Sequence, residues 1–307
     1  MRPARHRRRI LDVAGTAHPV HAKSNRGGLI EAMTSVPHPA LRDGWGTGGY
    51  SAFTVMELLV TIAIIALLAA MLLPSISAAR EQAKAMTCRS NIAQITIANT
   101  YYSDENEGMY CPGASVFIEN LHRWHGTRES PNEPFNPIEG PLVTYLGPDG
   151  AIRQCPTFAA NEIGAEGDGF ERGNGGYGYN NAFIGVQLAR GRKGGWVVNN
   201  DQAGAWKSRV KRPAETVMFT DSAFAGSRLI EYSFAEPRFH PAYSEYRMDP
   251  SIHFRHGGLA NVGWCDGHAD SHHRTFTWAS GFYKRNPDRL HIGWFGKTDD
   301  NSLFDLK

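Results

Sequence analysis

The chain has 307 residues, 41% hydrophobic and 20% charged, with 33 glycines and 17 prolines. That balance belongs to a folded protein and excludes a disordered or collagen-like one, and the length allows one or two domains with enough chain for a buried core. The formal net charge is +2, but eight Lys/Arg against three acids fall in residues 1–52, leaving 24 basic against 27 acidic residues in the rest. A mildly acidic body argues against nucleic-acid binding through the folded part. The basic end suits a cytoplasmic flank beside a membrane.

Residues 53–73, FTVMELLVTIAIIALLAAMLL, hold three polar side chains, Thr54, Glu57 and Thr61. About 20 apolar residues cross the hydrocarbon core as a helix. A secretory signal has a shorter apolar stretch, of about 7–15 residues, and a small-residue cleavage site after it. Here the chain instead runs through Pro74 into the helix-forming SISAAREQAKAM. The reading is a transmembrane helix over 53–74 behind a basic cytoplasmic leader, 1–52. Glu57 is an ionisable group inside an apolar run, which marks a function unless it snorkels to the interface.

The run Ala52-Phe53-Thr54-Val55-Met56-Glu57-Leu58-Leu59-Val60 resembles the processing site of type IV prepilins and type II secretion pseudopilins. In that family a membrane aspartyl peptidase cuts before a Phe, methylates the new amino group and needs Glu at the fifth mature position. The resemblance implies cleavage between Ala52 and Phe53, with Glu57 fifth and Pro74 where the family commonly has a helix-kinking proline. Ala52 stands where the family usually has Gly, and a 52-residue leader is long for it; a start at Met33 leaves a 20-residue leader.

Beyond the membrane, residues 75–108 read as a helix entering the globular domain near residue 85. One stripe runs Ile76, Ala79, Ala83, Met86, Ser90, Ala93, Ile97, Tyr101, and a second, on the opposite face, Ala85, Cys88, Ile92, Ile95, Tyr102. From 54 to 103 such an element measures about 75 Å, kinked near Pro74. Ser103 to Gly108 ends it in a solvated turn, lacking the ligand spacing of a calcium loop. From 109 to 307 the chain reads as short β-runs, among them Gln154–Phe158, Gly176–Asn180, Thr216–Phe219, Ile252–His256 and Asn261–Cys265, with long loops over 159–176 and 186–206. The fold class is α+β: a long N-terminal hydrophobic helix, transmembrane and then amphipathic, packed on a small antiparallel sheet with long loops.

The segment His256 to Gly267 carries the most local signal. Asp266-Gly267, between Asn261–Cys265 and His268–His272, has the composition of a type I′ hairpin turn. His256 and Asp266, separated by nine residues and followed by Gly267, resemble the H-x9-D-G motif of a large group of bacterial pseudopilin-like proteins. Cys88-Arg89-Ser90-Asn91, Cys155-Pro156, Tyr177-Gly178-Tyr179-Asn180 and Asp221 match that group further. The match implies architecture and export route more than activity. A carboxylate and an imidazole can meet across neighbouring strands, so Asp221, His256, Asn261, Asp266, Gly267 and His268 form the candidate structural or binding set, with Asp266 fixing the turn and His256 bonding to it or to Asp221.

His256, Asp266, His268, His272 and His273 are metal-ligand types, and strand alternation sets His268, Asp270 and His272 on one face. Their spacings lack the H-E-x-x-H or C-x-x-C geometry of a strong metal motif, so they read as hydrogen-bonded structural residues, with no metal and no cofactor expected. Ser51, Ser75 and Ser222 have no nucleophile context. Cys88, Cys111, Cys155 and Cys265 lie on the exported side, where disulfides are permitted; four cysteines allow three pairings, and free buried thiols are the alternative.

The expectation is a non-enzymatic, pseudopilin-like subunit, single-pass in the inner membrane, with its C-terminal domain in the periplasm or at the cell surface. Its partners are prepilin peptidase, other pilin or pseudopilin subunits through the N-terminal helix, and the lipid bilayer. The competing classes are a membrane-anchored exoplasmic enzyme or metal-binding protein using the histidine-rich segment, and a stand-alone receptor or surface protein that borrows only the targeting helix.

Overall fold

One helix organises the chain. In the computed structural model, which describes residues 53–147, 152, 154–161, 171–192, 194–225, 229–279 and 286–307, α1 runs unbroken over Val55–Glu105 with Pro74 inside it. The leader, including Ala52, lies outside the described residues. Every position of α1 up to Ala83 is exposed and its first buried residue is Cys88. The apolar half has a mean hydropathy of 2.7 over its best 18 residues, none of them buried, and among the described residues α1 is the one helix long and apolar enough to cross a membrane. Its hydroxyls bond within the helix, Thr61 Oγ1 donating to the Leu58 carbonyl and Ser75 Oγ to that of Leu72, both at 2.8 Å. That is the arrangement required where no water is at hand.

The two stripes of α1 part company. Cys88, Ile92 and Ile95 are buried, whereas Ile76, Met86, Ile97 and Tyr101 on the other stripe stay exposed. The helix closes with Glu107 in the left-handed region (φ 54°) and the Gly108 N–H donating to the Ser103 carbonyl at 2.9 Å. The bond back across five residues satisfies a last-turn carbonyl.

The strands follow as β1 (His122–Arg123), β2 (Gly126–Thr127), β3 (Tyr177–Tyr179), β4 (Gln187–Arg190), β5 (Trp196–Asn200), β6 (Val217–Asp221), β7 (Phe224–Ala225), β8 (Leu229–Ile230), β9 (Ile252–His253), β10 (Leu259–Trp264), β11 (Ala269–His273) and β12 (Ile292–Gly293), with a short helix α2 (Pro156–Asn161) before β3. The main sheet is antiparallel, in the order β11-β10-β6-β3, and the described residues also form four two-stranded pairs. One long apolar helix with antiparallel sheets makes an α+β protein.

Two expected elements differ. Gln154–Phe158 is not a strand: Pro156 opens α2, because its fixed φ suits a first helical turn and its missing N–H is no loss there. Residues 186–206 are not a plain loop but contain the β4–β5 hairpin, where Trp196, Val197 and Val198 supply strand-forming side chains between glycine-rich flanks.

α1 meets the sheet at β10. A Cβ on Gly263 would stand 2.2 Å from Thr96 Oγ1 and 2.8 Å from Ile92 Cγ2, so the bare glycine is what admits the helix. Two buried asparagines of α1 bind tyrosines of β3: Asn91 Nδ2 to Tyr177 Oη and Asn99 Nδ2 to Tyr179 Oη, each at 3.0 Å. Asn99 Oδ1 also accepts from the Cys111 N–H at 2.9 Å. These bonds fix the rotation of α1 on the sheet, since a helix turned by one residue would strand both amides in the core.

Candidate functional site

The site is built by a turn. The His256 N–H donates to the Leu259 carbonyl at 3.0 Å and the Leu259 N–H returns to His256 at 3.2 Å, and the two residues between, Gly257 and Gly258, have φ of 64° and 86°. Two left-handed central residues make this the type I′ turn. The expected one, at Asp266-Gly267, is of another kind. There Gly267 alone is left-handed (φ 99°), its N–H donates to the Trp264 carbonyl at 2.9 Å, and the Trp264 N–H donates to His268 at 3.0 Å. Three residues separate the strand partners, so a glycine-closed bulge replaces the two-residue loop.

The Gly-Gly turn sets His256 against Asp221, the fully buried last residue of β6. Asp221 Oδ1 accepts from Arg255 Nη2 at 2.8 Å; Oδ2 accepts from the Asn261 N–H at 2.7 Å and faces His256 Nε2 at 3.3 Å. Arg255 also donates to the carbonyls of Ser222 and Gly176 and lies over the Phe158 ring. The same His256 Nε2 stands 3.7 Å from Cys155 Sγ. Cys88 of α1 completes the group: the sulfurs of Cys88 and Cys155 and a ring nitrogen of His256 all lie within 4.8 Å of one another, and all three residues are buried.

Electrostatics in this cluster oppose burial. Burial alone would push the Asp221 carboxyl up, yet the Arg255 guanidinium, His256 and the Asn261 N–H hold it below its ordinary value. For His256, burial disfavours the imidazolium, but the bonds to Asp221 and Cys155 raise it to about 9. Burial likewise works against a Cys155 thiolate, and the Cys88 thiol, Arg255 and His256 together bring it down to about 4. Cys88, bonded to that thiolate and buried, is pushed far up.

Cysteine, histidine and aspartate are the ingredients of a nucleophile-and-base set, but the geometry is not one. Cys155 and Asp221 both approach Nε2, so the ring cannot take a proton from one while the other orients its opposite nitrogen. A groove of about 1100 Å3 lies elsewhere, lined by residues such as Arg190, Trp196, Phe239, Tyr243 and Asp299 and by none of the cluster. What the arrangement can do chemically is hold a cation or cross-link two thiols.

The chain matches no protein-family model, no curated protein and no solved structure. Assignments therefore stand on geometry.

The remaining candidates are dispersed. Asp266 Oδ1 accepts from the His268 N–H at 3.1 Å and meets His268 Nδ1 at 2.6 Å, while the His268 ring stacks on Trp264. His272 Nε2 pairs with Asp270 at 3.0 Å, and its ring stacks on Phe295. His273 is exposed. Asn261 holds β11 through Ser271, whose hydroxyl donates to Asn261 Oδ1 at 2.7 Å. Cys111 and Cys265 are buried, burial pushes both thiols up, and all four cysteines are free. Phe53 is exposed and Glu57 stands in the first turn of α1.

Thus His256 joins Asp221 and two cysteines, not Asp266, His268, His272 and His273, with which its position in the chain had grouped it. Arg255, which neutralises Asp221, was overlooked; an arginine directly before the histidine was the available signal. No local pattern marks Cys88 and Cys155 as partners.

Proposed function

We propose that the chain is a pseudopilin-like subunit: held in the inner membrane by the apolar half of α1, cut before Phe53 by prepilin peptidase, and joined to other subunits through α1. The observation that carries this reading is the division of labour along α1. Its own domain uses the face of Cys88, Ile92 and Ile95, while the apolar half and the stripe of Ile76, Met86, Ile97 and Tyr101 are exposed. A helix that ends inside a folded domain and begins in lipid has a continuous apolar side left over for a neighbouring helix. Glu57, four residues after Phe53, supports the same reading. In the prepilin-like proteins that this segment resembles, a glutamate stands at that fifth mature position.

Mass spectrometry of the membrane-extracted full chain, expressed with prepilin peptidase, tests this. The expected product begins at Phe53 and is N-methylated. An intact leader in the presence of active peptidase overturns the reading.

A further inference from the structure

We propose that Cys88, Cys155, His256 and Asp221 bind a zinc ion. The inference does not depend on the pseudopilin reading. It starts from a geometric oddity: one ring nitrogen, His256 Nε2, faces a sulfur at 3.7 Å and a carboxylate oxygen at 3.3 Å, with a second sulfur within 4.8 Å of both the first sulfur and the ring. A single N–H serves one acceptor well, not two. A cation between them serves all. Zinc holds thiolate sulfur at about 2.3 Å and imidazole or carboxylate at about 2.0–2.2 Å, so neighbouring ligand atoms of a tetrahedron lie about 3.3–3.8 Å apart. Both edges at Nε2 fall in that range; the Cys88 sulfur, within 4.8 Å of the Cys155 sulfur and of the ring, lies at most about 1 Å outside it, and the Asp221 oxygen, the fourth ligand, approaches from the His256 side.

Ligand chemistry and charge agree. Two thiolates and an imidazole are a zinc set among the biological divalent ions. Two thiolates and the Asp221 carboxylate bring three negative charges and Arg255 one positive, so a divalent ion makes the buried group neutral. The supporting hydrogen bonds are also present: Arg255 and the Asn261 N–H hold Asp221 in place, at 2.8 and 2.7 Å, as donors behind a metal-bound carboxylate do.

Four protein ligands with no approach from solvent make a closed, structural site. Its ligands come from α1, the start of α2, the end of β6 and the turn before β10. Cys88 is the first buried residue of α1, so the ion fastens the helix where it enters the domain. On binding, the Cys88 thiol and the His256 ring give up their protons to solvent, Cys155 ligating as the thiolate, and nothing is oxidised or reduced.

The test uses the full chain extracted in detergent without reductant or chelator. Elemental analysis should find about one zinc per chain, lost in Cys88→Ser and in Cys155→Ser and kept in Cys265→Ser. Exchange with cobalt(II) should give the intense visible bands of a tetrahedral site and a thiolate charge-transfer band. Where a serine variant fails to fold, the wild-type chain decides: a strong chelator lowers its melting temperature and zinc restores it. The proposal is overturned by a metal-free chain whose peptide map joins Cys88 to Cys155 in a disulfide, by a metal-free chain with both thiols open to alkylation, or by zinc retained in both serine variants.

Discussion

Strand β10 has an aspartate and a histidine paired at each end, and the two pairs differ in the opposite sense from their distances. At the Gly257-Gly258 end, His256 and Asp221 stand 3.3 Å apart with side chains 2% and 0% exposed; at the Gly267 end, His268 and Asp266 are 2.6 Å apart and 45% and 34% exposed. The shorter contact is in water, where such a polar pair contributes little. The longer one is enclosed with Arg255 and two cysteines, where removing one charge leaves another without solvent. Burial rather than distance decides which pair the fold depends on.

The sharpest way to break the comparison is at Asp221. Asp221→Ala leaves the Arg255 guanidinium, 1% exposed, with carbonyl acceptors but no counter-charge at Asp221, and the Asn261 N–H without its acceptor. The expected loss is about 3–5 kcal/mol, read by chemical denaturation of the full chain in detergent through tryptophan fluorescence. Asp221→Ala combined with Arg255→Met should recover part of it. A loss no larger than that of a surface substitution would show that the buried pair is not what holds β6, β10 and the Gly-Gly turn together.

A third histidine sharpens the contrast because it is buried without a carboxylate beside its ring. His125 is 1% exposed. The Ser233 hydroxyl donates to Glu171, so His125 Nε2 is the donor to Ser233 Oγ at 2.7 Å, and Nδ1 has no partner among the described residues. Burial, with Arg123 and Arg128 nearby, pushes its pKa down to about 3. The folded value lies below the unfolded one, so the stability is present above pH 6.5 and is lost as pH falls from 6.5 toward 3. By pH 4 the loss is about 3 kcal/mol. His125→Gln keeps a donor for Ser233 and should flatten the acid limb of stability against pH by that amount relative to wild type; parallel limbs would refute the assignment.

How much of this was legible in the residues depends on whether the determinant is local. The apolar run of α1 and the strands around Tyr177, Val217, Asn261 and His272 are written in consecutive side chains, and α+β follows from them. The buried face of α1 was legible as a stripe, but not which of its two stripes would be covered, since both are apolar and the choice is made by Gly263, Tyr177 and Tyr179 far along the chain. Turn type was misread because composition does not reveal how many residues separate the strand partners: Asp266-Gly267 has the residues of a type I′ turn, and Gly257-Gly258 has the geometry. The cluster itself was half visible. Asp221 and His256 lie on a strand and at a turn that a sheet can bring together, whereas Cys88 and Cys155 meet only because α1 and α2 pack, which no spacing rule encodes.

The smallest expected effect is at the exposed pair. His268→Ala removes the contact to Asp266 Oδ1 and the stacking on Trp264, yet the feature that shapes this turn survives, because Asp266 Oδ1 still accepts from the backbone N–H of residue 268 and Gly267 still supplies the left-handed position. The exposed contact itself contributes at most about 1 kcal/mol, and part of the ring's contact with Trp264 is replaced by water. The variant should therefore fall within about 1 kcal/mol of wild type in the same denaturation assay. A loss approaching that of Asp221→Ala would mean that the exposed end of β10 governs the sheet, and would reverse the order of importance drawn from burial.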